Sequence, residues 1–320
     1  MERIEPTAVQ QVAVIGTGVI GAGWTAHFLR QGLDVVVYDP APDAEAALRT
    51  KIAEVWPIME QLGLMPEASP DRWRFANHVA DAVAAAHFVQ ENAPERLAVK
   101  QTVLAEIDAS TPPETVISSS TSGYAMTDMQ ILCWHHPERT VVSHPFNPPY
   151  LIPLVEVVGG KQTEPAVVDW TADFWTAMGK KPLKMTKELP GFIANRLQEA
   201  MWREALHMLH SGMATIEEID AAITTGPGLR WAIMGPMLTF HLAGGAQGMA
   251  HMLDHFNPNE FDHWTFLSAP QITEELKSRI VAGCEAEADG RSIQQLEQER
   301  DIALVALLKA LSHCRETGGA

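Results

Sequence analysis

The sequence predicts an α/β protein in which a doubly wound sheet comes first and an all-helical domain follows. Short apolar runs of strand length alternate with helical segments over residues 1–189. A glycine-rich turn separates the first of these runs from the first helix. From Phe192 onward, apolar residues recur at helical spacing and almost no strand signal remains. We therefore expect a sheet domain over residues 1–189 and a helical domain over residues 190–320.

The first predicted strand and helix enclose the glycine-rich turn. Val12–Ile15 is an apolar run typical of a buried parallel strand, and it leads directly into the glycines. Gly16 permits a tight turn, Gly18 leaves room for a pyrophosphate at the backbone, and Gly21 lets the helix lie close to the strand. The N–H groups that begin the helix are available to phosphates. The predicted phosphate-binding residues are Gly16, Gly18, Val19, Ile20 and Gly21.

The second predicted strand, Val35–Tyr38, ends at an acidic residue. Asp39 follows the glycines by roughly 20 residues, where a carboxylate can accept hydrogen bonds from an adenosine ribose. The same carboxylate would repel a 2′-phosphate, and Pro40–Pro42 supplies no arginine to neutralise one. This order of strand, glycine turn, helix, strand and acid is typical of a Rossmann-type domain, whereas a glycine-rich turn in an unrelated α/β protein lacks it. NAD is therefore favoured over NADP.

Composition excludes several classes of partner. The formal net charge of −17 argues against nucleic acids and anionic membranes, which need clustered Lys and Arg. Residues 1–10 lack the apolar core of a signal peptide, and no apolar run approaches bilayer length. The three cysteines, Cys133, Cys284 and Cys314, show neither metal nor redox spacing. A reduced, cytoplasmic setting without a bound metal is expected.

Apolar runs and helix end signals predict the remaining elements. An alanine-rich helix is expected from Asp43 to about Leu62, where Gly63 ends it. Further helices are predicted at Asp81–Ala86, Leu97–Ala109 and Pro165–Met178. Further strands are predicted at Arg74–Phe75, His87–Gln90, Val116–Ser119, Val141–Ser143, Leu154–Val158 and near Pro182–Met185.

The helical domain carries its own signals. Thr215 and Glu218 have the spacing of a capping box, and Pro227–Leu242 has helical content despite Gly235–Pro236. The last long helix is expected to begin near Ser292. One face of the first helix collects the apolar residues Ile193, Leu197, Met201, Ala205 and Leu209. Most of the aromatic side chains Trp202, Trp231, Phe240 and Trp264 are expected in the core.

Four polar residues lie at element ends or in apolar surroundings: Ser122, His144, Glu156 and Asn195. Oxidation of an alcohol with a nicotinamide cofactor requires a base for the hydroxyl proton. His144 begins a proline-rich loop after a predicted strand, and an unperturbed histidine accepts a proton close to neutral pH. Glu156 lies within an apolar strand, where a buried carboxylate needs a partner, and the second ring nitrogen of His144 can supply it. Ser122 and Asn195 can hold the substrate oxygen.

At these residues the chain resembles the short-chain L-3-hydroxyacyl-CoA dehydrogenase family. The motifs IGTGVIGAGW, NAPERLAVK, SSSTSG, HPFNPPYLIPLVEVV and PGFIANR occur in the family's order over about the first two thirds of the chain. The resemblance implies Ser122, His144, Glu156 and Asn195 as the catalytic group, places Glu95 and Lys100 near the nicotinamide and ribose, and implies a homodimer. One departure is visible, because the family usually has Asn where this chain has Ser120.

The helical domain narrows the resemblance. The segment Gly226–Pro236, with the sequence GPGLRWAIMGP, resembles the branch of the family that oxidises L-carnitine. A sister branch that oxidises L-gulonate has a smaller aromatic residue where Trp231 stands. A short 3-hydroxyacyl-CoA is a further alternative substrate, disfavoured by the lack of an evident basic cluster for its phosphates. A non-catalytic, crystallin-like or redox-sensing NAD-binding protein is the alternative outside the enzymes, and the presence of His144 with Glu156 speaks against it.

Carnitine carries a quaternary ammonium and a carboxylate, and each suggests its own contacts. Aromatic faces and diffuse negative charge hold a quaternary ammonium, which cannot hydrogen-bond. Arg196 and Arg230 are available to the carboxylate, although surface or interdomain ion pairs explain them equally well. The predicted substrate-binding residues are Phe146, Gly191, Ile193, Ala194, Arg196, Gly226, Arg230 and Trp231.

Overall fold

A computed structural model describes residues 3–255, 265, 266, 268 and 270–317 of the chain. The chain divides into two compact units. The first unit comprises residues 1–193 with 304–306, and the second comprises residues 194–303 with 307–320. Trp264, one of the predicted core aromatics, lies outside the described residues.

An eight-stranded sheet forms the centre of the first unit, in the order β3-β2-β1-β4-β5-β6-β7-β8. Every neighbouring pair is parallel except β6 and β7, which run antiparallel. The strands are β1 Gln11–Ile15, β2 Asp34–Tyr38, β3 Trp73–Phe75, β4 Phe88–Glu91, β5 Val116–Ser119, β6 Thr140–Pro145, β7 Leu154–Gly159 and β8 Lys181–Lys184. The α/β class is thereby confirmed, with crossover helices joining the parallel strands.

Six α-helices lie entirely within the described part of the sheet unit. They are α1 Val19–Arg30, α2 Ala44–Leu62, α3 Val79–Val83, α4 Leu97–Ser110, α5 Met126–Met129 and α6 Pro165–Ala177. The predicted end of α2 is confirmed, because Gly63 follows it with a φ of 90°, a backbone conformation that suits glycine. Strand alternation sends side chains to opposite faces, so that Val12 and Val14 join one hydrophobic core while Ala13 and Ile15 join another. The sheet is therefore buried on both faces, as its continuous apolar runs predict.

Strand β6 is longer than predicted, and its neighbour β7 runs antiparallel to it. His144 and Pro145 belong to the strand itself instead of beginning a loop after Ser143. Because β7 runs antiparallel to β6, His144 is paired in register with Glu156. An apolar run does not specify the direction of its neighbour, and the eight residues 146–153 between the strands are too few for a crossover helix. The antiparallel turn brings two polar residues twelve positions apart side by side.

The second unit is helical. Its helices are α7 Ala194–His210, α8 Ile216–Thr224, α9 Pro227–Trp231, α10 Pro236–Ala243, α11 Gly248–His255, α12 Glu274–Ala288 and α13 Ile293–Thr317, the last of which includes residues 304–306 of the first unit. The capping box at Thr215 is confirmed, since its side chain accepts from the Glu218 N–H and Glu218 accepts from the Thr215 N–H. Gly235–Pro236 separates two short helices, because proline cannot continue the preceding one.

Burial in the second unit differs from the sequence expectation. On α7, Leu206 and Leu209 are buried, whereas Leu197 and Met201 are exposed. Trp202 and Phe240 are about half exposed and Trp231 is 37% exposed, so the expectation that such aromatics lie in the core is wrong for these three. Helical periodicity identifies an apolar face but not what covers it. Among the described helices, none combines the length and apolarity that crossing a bilayer requires.

Candidate active site

The glycine turn after β1 has one open position and two closed ones. Gly16 has a φ of +93°, and a Cβ there would lie 2.7 Å from the Asn92 carbonyl oxygen. A Cβ at Gly21 would collide with the Gly16 carbonyl oxygen. At Gly18, by contrast, a Cβ would meet no atom within 4 Å. The open space over Gly18, at the N-terminus of α1, fits a pyrophosphate held by backbone N–H groups.

Asp39 is fixed beside this turn. Its Oδ2 accepts hydrogen bonds from the Thr17 N–H at 2.7 Å and from Thr17 Oγ1 at 3.0 Å, and its Oδ1 accepts from the Ala41 N–H at 2.9 Å. The carboxylate therefore lies at the end of β2, next to the phosphate-binding turn. Oδ1 retains acceptor capacity for a hydroxyl group of a ribose, whereas the two Thr17 donors already use both acceptor sites of Oδ2.

Ion pairs at the end of β4 join the buried side chains of Glu91 and Lys100 to the exposed side chain of Glu95. Lys100 is buried, and its Nζ lies 3.1 and 3.3 Å from the two oxygens of Glu91 and 3.3 Å from Glu95 Oε2. Nζ also donates to the Ala93 carbonyl oxygen at 3.0 Å. Sequence reasoning identified Glu95 and Lys100 but missed Glu91, which is fully buried. A carboxylate in a buried strand was the signal available for it, as at Glu156.

The serine-rich segment after β5 is tied to this cluster. Glu95 Oε1 accepts from Thr121 Oγ1 at 2.6 Å and from the Ser122 N–H at 3.0 Å. Ser122 itself is exposed. A continuous chain of contacts thus leads from Lys100 through Glu95 to the backbone of Ser122.

Ser120, the departure from the family pattern, is a hydrogen-bond hub. Its Oγ accepts from Trp24 Nε1 at 3.1 Å and from Gln90 Nε2 at 2.7 Å, and it donates to Asn92 Oδ1 at 2.7 Å. The three partners belong to α1, to β4 and to the turn after β4. A serine hydroxyl offers one donor and two acceptor sites, so Ser120 is fully used here.

His144 and Glu156 are in direct contact. The Nδ1 atom of His144 lies 2.8 Å from Glu156 Oε2, and both side chains are buried. Glu156 Oε1 accepts from the Ile193 N–H at 2.9 Å. A carboxylate on Nδ1 favours the tautomer with the proton on that nitrogen, which leaves Nε2 as a proton acceptor. This arrangement suits a general base.

Two phenyl rings flank the imidazole. The ring centroids of Phe146 and Phe192 lie 5.1 and 5.2 Å from that of His144. Gly191 and Phe192 both have positive φ angles, 72° and 53°. Phe146, Gly191 and Ile193 were predicted as substrate contacts, whereas Phe192 was missed. Phe192 is distinguished by its backbone conformation, and a pattern of residues in a sequence does not indicate a positive φ at a phenylalanine.

A buried lysine supports the chain that follows His144. Lys180 Nζ donates to the carbonyl oxygens of Pro149 and Ile152, and it lies 5.2 Å from the ring centroid of Trp24. Burial, followed by the charge of Arg30, lowers the pKa of Lys180 to about 7. The neighbouring His27 is also buried, and desolvation together with the positive charges of Lys180 and Arg30 lowers its pKa well below the ordinary value.

The remaining predicted site residues belong to the second unit. Ala194, Asn195 and Arg196 form the first turn of α7. Gly226 precedes α9, and Arg230 and Trp231 are its last two residues. Both side chains are exposed. Within the described residues of both units, no three His, Cys, Asp or Glu side chains are grouped as metal ligands would be.

Family models match both units. Residues 11–189 match the model described as 3-hydroxyacyl-CoA dehydrogenase, NAD binding domain. Residues 191–276 match the model described as 3-hydroxyacyl-CoA dehydrogenase, C-terminal domain. The two matches cover well over half of the chain, and they confirm the resemblance seen in its motifs.

Relatives of known name match almost the whole chain. An L-carnitine dehydrogenase of Streptomyces griseus is 60% identical over 95% of this chain and 91% of its own length. An L-carnitine dehydrogenase of Streptomyces coelicolor is 58% identical over 95% of this chain and 96% of its own length. Among solved structures, a 5-formyl-3-hydroxy-2-methylpyridine 4-carboxylic acid 5-dehydrogenase, an NAD+-dependent dismutase, is 30% identical with a TM-score of 0.80. That match covers 95% of this chain and 99% of the other.

Proposed function

Because the chain belongs to the 3-hydroxyacyl-CoA dehydrogenase family, we propose that it oxidises the 3-hydroxyl group of L-carnitine to give 3-dehydrocarnitine. The chain is an NAD-dependent oxidoreductase, and its N-terminal unit is the family's NAD-binding domain. The choice of substrate depends chiefly on one observation, the 60% identity to an L-carnitine dehydrogenase over 95% of the chain.

The cofactor is proposed to be held by residues at the ends of β1, β2 and β4. Backbone N–H groups of the turn from Gly16 to Gly21 would hold the pyrophosphate, and the Asp39 carboxylate would accept hydrogen bonds from the adenosine ribose. Glu95 and Lys100 are proposed near the nicotinamide and its ribose, as the family resemblance implies. When bound, NAD+ accepts the hydride that leaves C3 of the substrate.

His144 is proposed as the general base. Its Nε2 takes the proton of the substrate hydroxyl, and the ring becomes an imidazolium. Glu156, at 2.8 Å from Nδ1, then stabilises that positive charge without taking the proton itself. Because the pair is buried, this attraction is screened less than it would be at the surface.

The other predicted residues are proposed to hold the substrate. Ser122 and Asn195 would donate hydrogen bonds to its oxygen, and Arg196 or Arg230 would pair with its carboxylate. The indole of Trp231 offers a face to the trimethylammonium group. Phe146, Gly191, Ile193, Ala194 and Gly226 complete the proposed substrate-binding set.

A spectrophotometric screen for NADH formation tests the substrate. The purified protein is supplied with NAD+ and, separately, with L-carnitine, L-gulonate and 3-hydroxybutyryl-CoA. We expect the highest kcat/KM with L-carnitine. A higher value with one of the other two assigns the chain to that substrate, and no NADH with any hydroxy acid supports a non-catalytic NAD-binding protein.

We also propose a homodimer in a cytoplasmic setting, as the family resemblance and the cysteine count respectively suggest. Light scattering coupled to size exclusion should give twice the 35.1 kDa mass of the chain. A mass equal to one chain over a range of concentrations would refute the dimer.

A further inference from the structure

We propose that Phe192 is a positioning residue whose left-handed backbone conformation aims the Ile193 N–H at Glu156 and thereby sets how strongly His144 takes up a proton. This inference rests on the proposed role of His144 as base. It assigns a task to a residue whose side chain carries no polar atom.

The backbone of Phe192 is unusual. Its φ of 53° lies in the left-handed region, where bulky non-glycine residues are rare because Cβ crowds the backbone. Gly191 precedes it with a φ of 72°, and the Phe192 N–H donates to the Leu189 carbonyl oxygen at 2.9 Å. Two consecutive left-handed residues thus close a tight turn between β8 and the start of α7. Such strain persists only where surrounding contacts compensate for it, and it is concentrated at functional sites.

The ring of Phe192 supplies that compensation. It is 1% exposed and belongs to the same hydrophobic core as Val142, Val158 and Met185, which lie on or beside β6, β7 and β8. The ring centroid lies 5.2 Å from that of His144. The buried ring of Phe192 therefore packs the turn against the strands that carry His144 and Glu156.

The turn delivers one particular group to Glu156. The Ile193 N–H lies 2.9 Å from Oε1, while Oε2 faces His144 Nδ1 at 2.8 Å. A hydrogen bond from a backbone N–H stabilises the carboxylate charge and weakens its pull on the neighbouring imidazolium. Without this donor, Glu156 stabilises the neighbouring imidazolium more strongly. At a given pH, a smaller fraction of the protein would then carry His144 in the neutral form that can accept the substrate proton.

The charged groups on the strands beside β6 and β7 do not supply the hydrogen bond that the Ile193 N–H donates to Glu156. Strand β8 contributes Lys181 and Lys184, both with exposed side chains, and Lys184 is paired with Asp169 at 2.8 Å. Strand β5 has no charged residue, and Glu95, in the segment after β4, contacts Lys100 and the segment of Ser122. The Ile193 N–H is therefore the donor whose position depends on the Phe192 turn.

Two isomeric substitutions separate backbone conformation from packing. Phe192→Leu and Phe192→Ile introduce side chains of equal composition, but only isoleucine is branched at Cβ and so resists a positive φ more strongly. Each variant is assayed with NAD+ and the hydroxy acid that the wild-type protein oxidises best, and log(kcat/KM) is measured against pH. We expect Phe192→Leu to keep the acid limb of the wild type, that is, the fall of log(kcat/KM) toward low pH should occur at the same pH. Phe192→Ile should shift that limb upward by roughly half a pH unit to one unit and lower kcat roughly tenfold.

A third variant and one control complete the test. Phe192→Gly removes the whole ring but adopts a positive φ without strain, so a folded glycine variant should keep the wild-type acid limb even if its kcat falls. If packing alone mattered, glycine would be the most perturbed of the three. Equal acid limbs in the leucine and isoleucine variants, or a shifted limb in the glycine variant, would overturn the proposal. An active His144→Gln protein in the same assays would instead overturn the proposed function.

Discussion

A fully buried carboxylate determines what His144 can do. Because Glu156 lies 2.8 Å from Nδ1, it favours the tautomer with the proton on that nitrogen, and Nε2 would accept the substrate proton in the proposed reaction. Charged hydrogen bonds in buried surroundings are short and strong, and the 2.8 Å contact fits that description. The same carboxylate is held by the Ile193 N–H, so the tautomer and the orientation of the ring are fixed together.

Replacing Glu156 with glutamine should stop the reaction while leaving cofactor binding intact. The amide can present its NH2 group either to His144 Nδ1, which imposes the wrong tautomer, or to the Ile193 N–H, which places two donors face to face. We expect kcat to fall by a factor of about 10³ to 10⁴, by analogy with the loss of an orienting acid in a catalytic triad. Steady-state NADH absorbance measures kcat, and NADH fluorescence measures the dissociation constant. A kcat within tenfold of the wild type would show that Glu156 does not orient the base.

At the scale of elements, three strand ends and one glycine turn position the site. Strand β1 leads into the turn, β2 is followed directly by Asp39, and β4 leads to Glu95 and Lys100. Strand β6 carries His144 close to its end, where the antiparallel β7 supplies Glu156 in register. The geometry of the turn requires glycine at positions 16 and 21, because nearby backbone atoms leave no room for a Cβ at Gly16 or at Gly21.

Two alanine substitutions in the turn should have opposite consequences. At Gly21 a Cβ collides with the Gly16 carbonyl oxygen, so Gly21→Ala should lower the free energy of unfolding by about 1–3 kcal/mol or more. At Gly18 a Cβ enters open space and φ is −58°, so Gly18→Ala should leave stability within about 0.5 kcal/mol. The Gly18 variant should nevertheless bind NAD+ roughly tenfold more weakly, because the methyl group would occupy the place that we propose for the pyrophosphate.

Chemical denaturation and NADH fluorescence titration measure the two quantities. Each variant serves as the control for the other, since both add one methyl group to the same turn. If Gly18→Ala has normal stability and unchanged NAD+ affinity, the pyrophosphate does not bind at Gly18.

Much of the frame could be predicted because its signals are local. Apolar runs identified the strands, and the glycine spacing predicted the tight turn between β1 and α1. The need of a buried carboxylate for a partner correctly indicated that Glu156 would meet His144. The direction of β7 escaped prediction because an apolar run is the same for either direction. Phe192 escaped because its contribution is a φ angle, and the exposure of Leu197 escaped because periodicity does not reveal what covers a face.

At the scale of the whole molecule, the buried amine of Lys180 makes the free energy of unfolding depend on pH. Lys180 is 4% exposed, and burial together with the charge of Arg30 lowers its pKa to about 7 from 10.5. Between these two values the unfolded chain binds a proton that the folded chain releases. The free energy of unfolding therefore gains a contribution that rises with pH over this range and is complete above about 10.5.

Removing this amine should flatten the pH dependence of stability. The wild-type protein and Lys180→Met are unfolded with urea at several pH values from about 6 to about 11, a range that contains both pKa values. The wild-type free energy of unfolding should rise relative to that of the variant by an amount on the order of a few kcal/mol. Parallel curves would show that Lys180 keeps an ordinary pKa in the folded protein.

His144 is the proposed base of an NAD-dependent oxidation, and one measurement tests that central role most directly. NADH formation from L-carnitine is followed at saturating NAD+ for the wild-type protein and for His144→Gln, after fluorescence titration has shown that both bind the cofactor. Loss of a general base predicts a kcat that is lower by a factor of about 10² to 10⁴ in the variant, with unchanged NAD+ affinity. A His144→Gln protein that forms NADH at the wild-type rate would contradict this role.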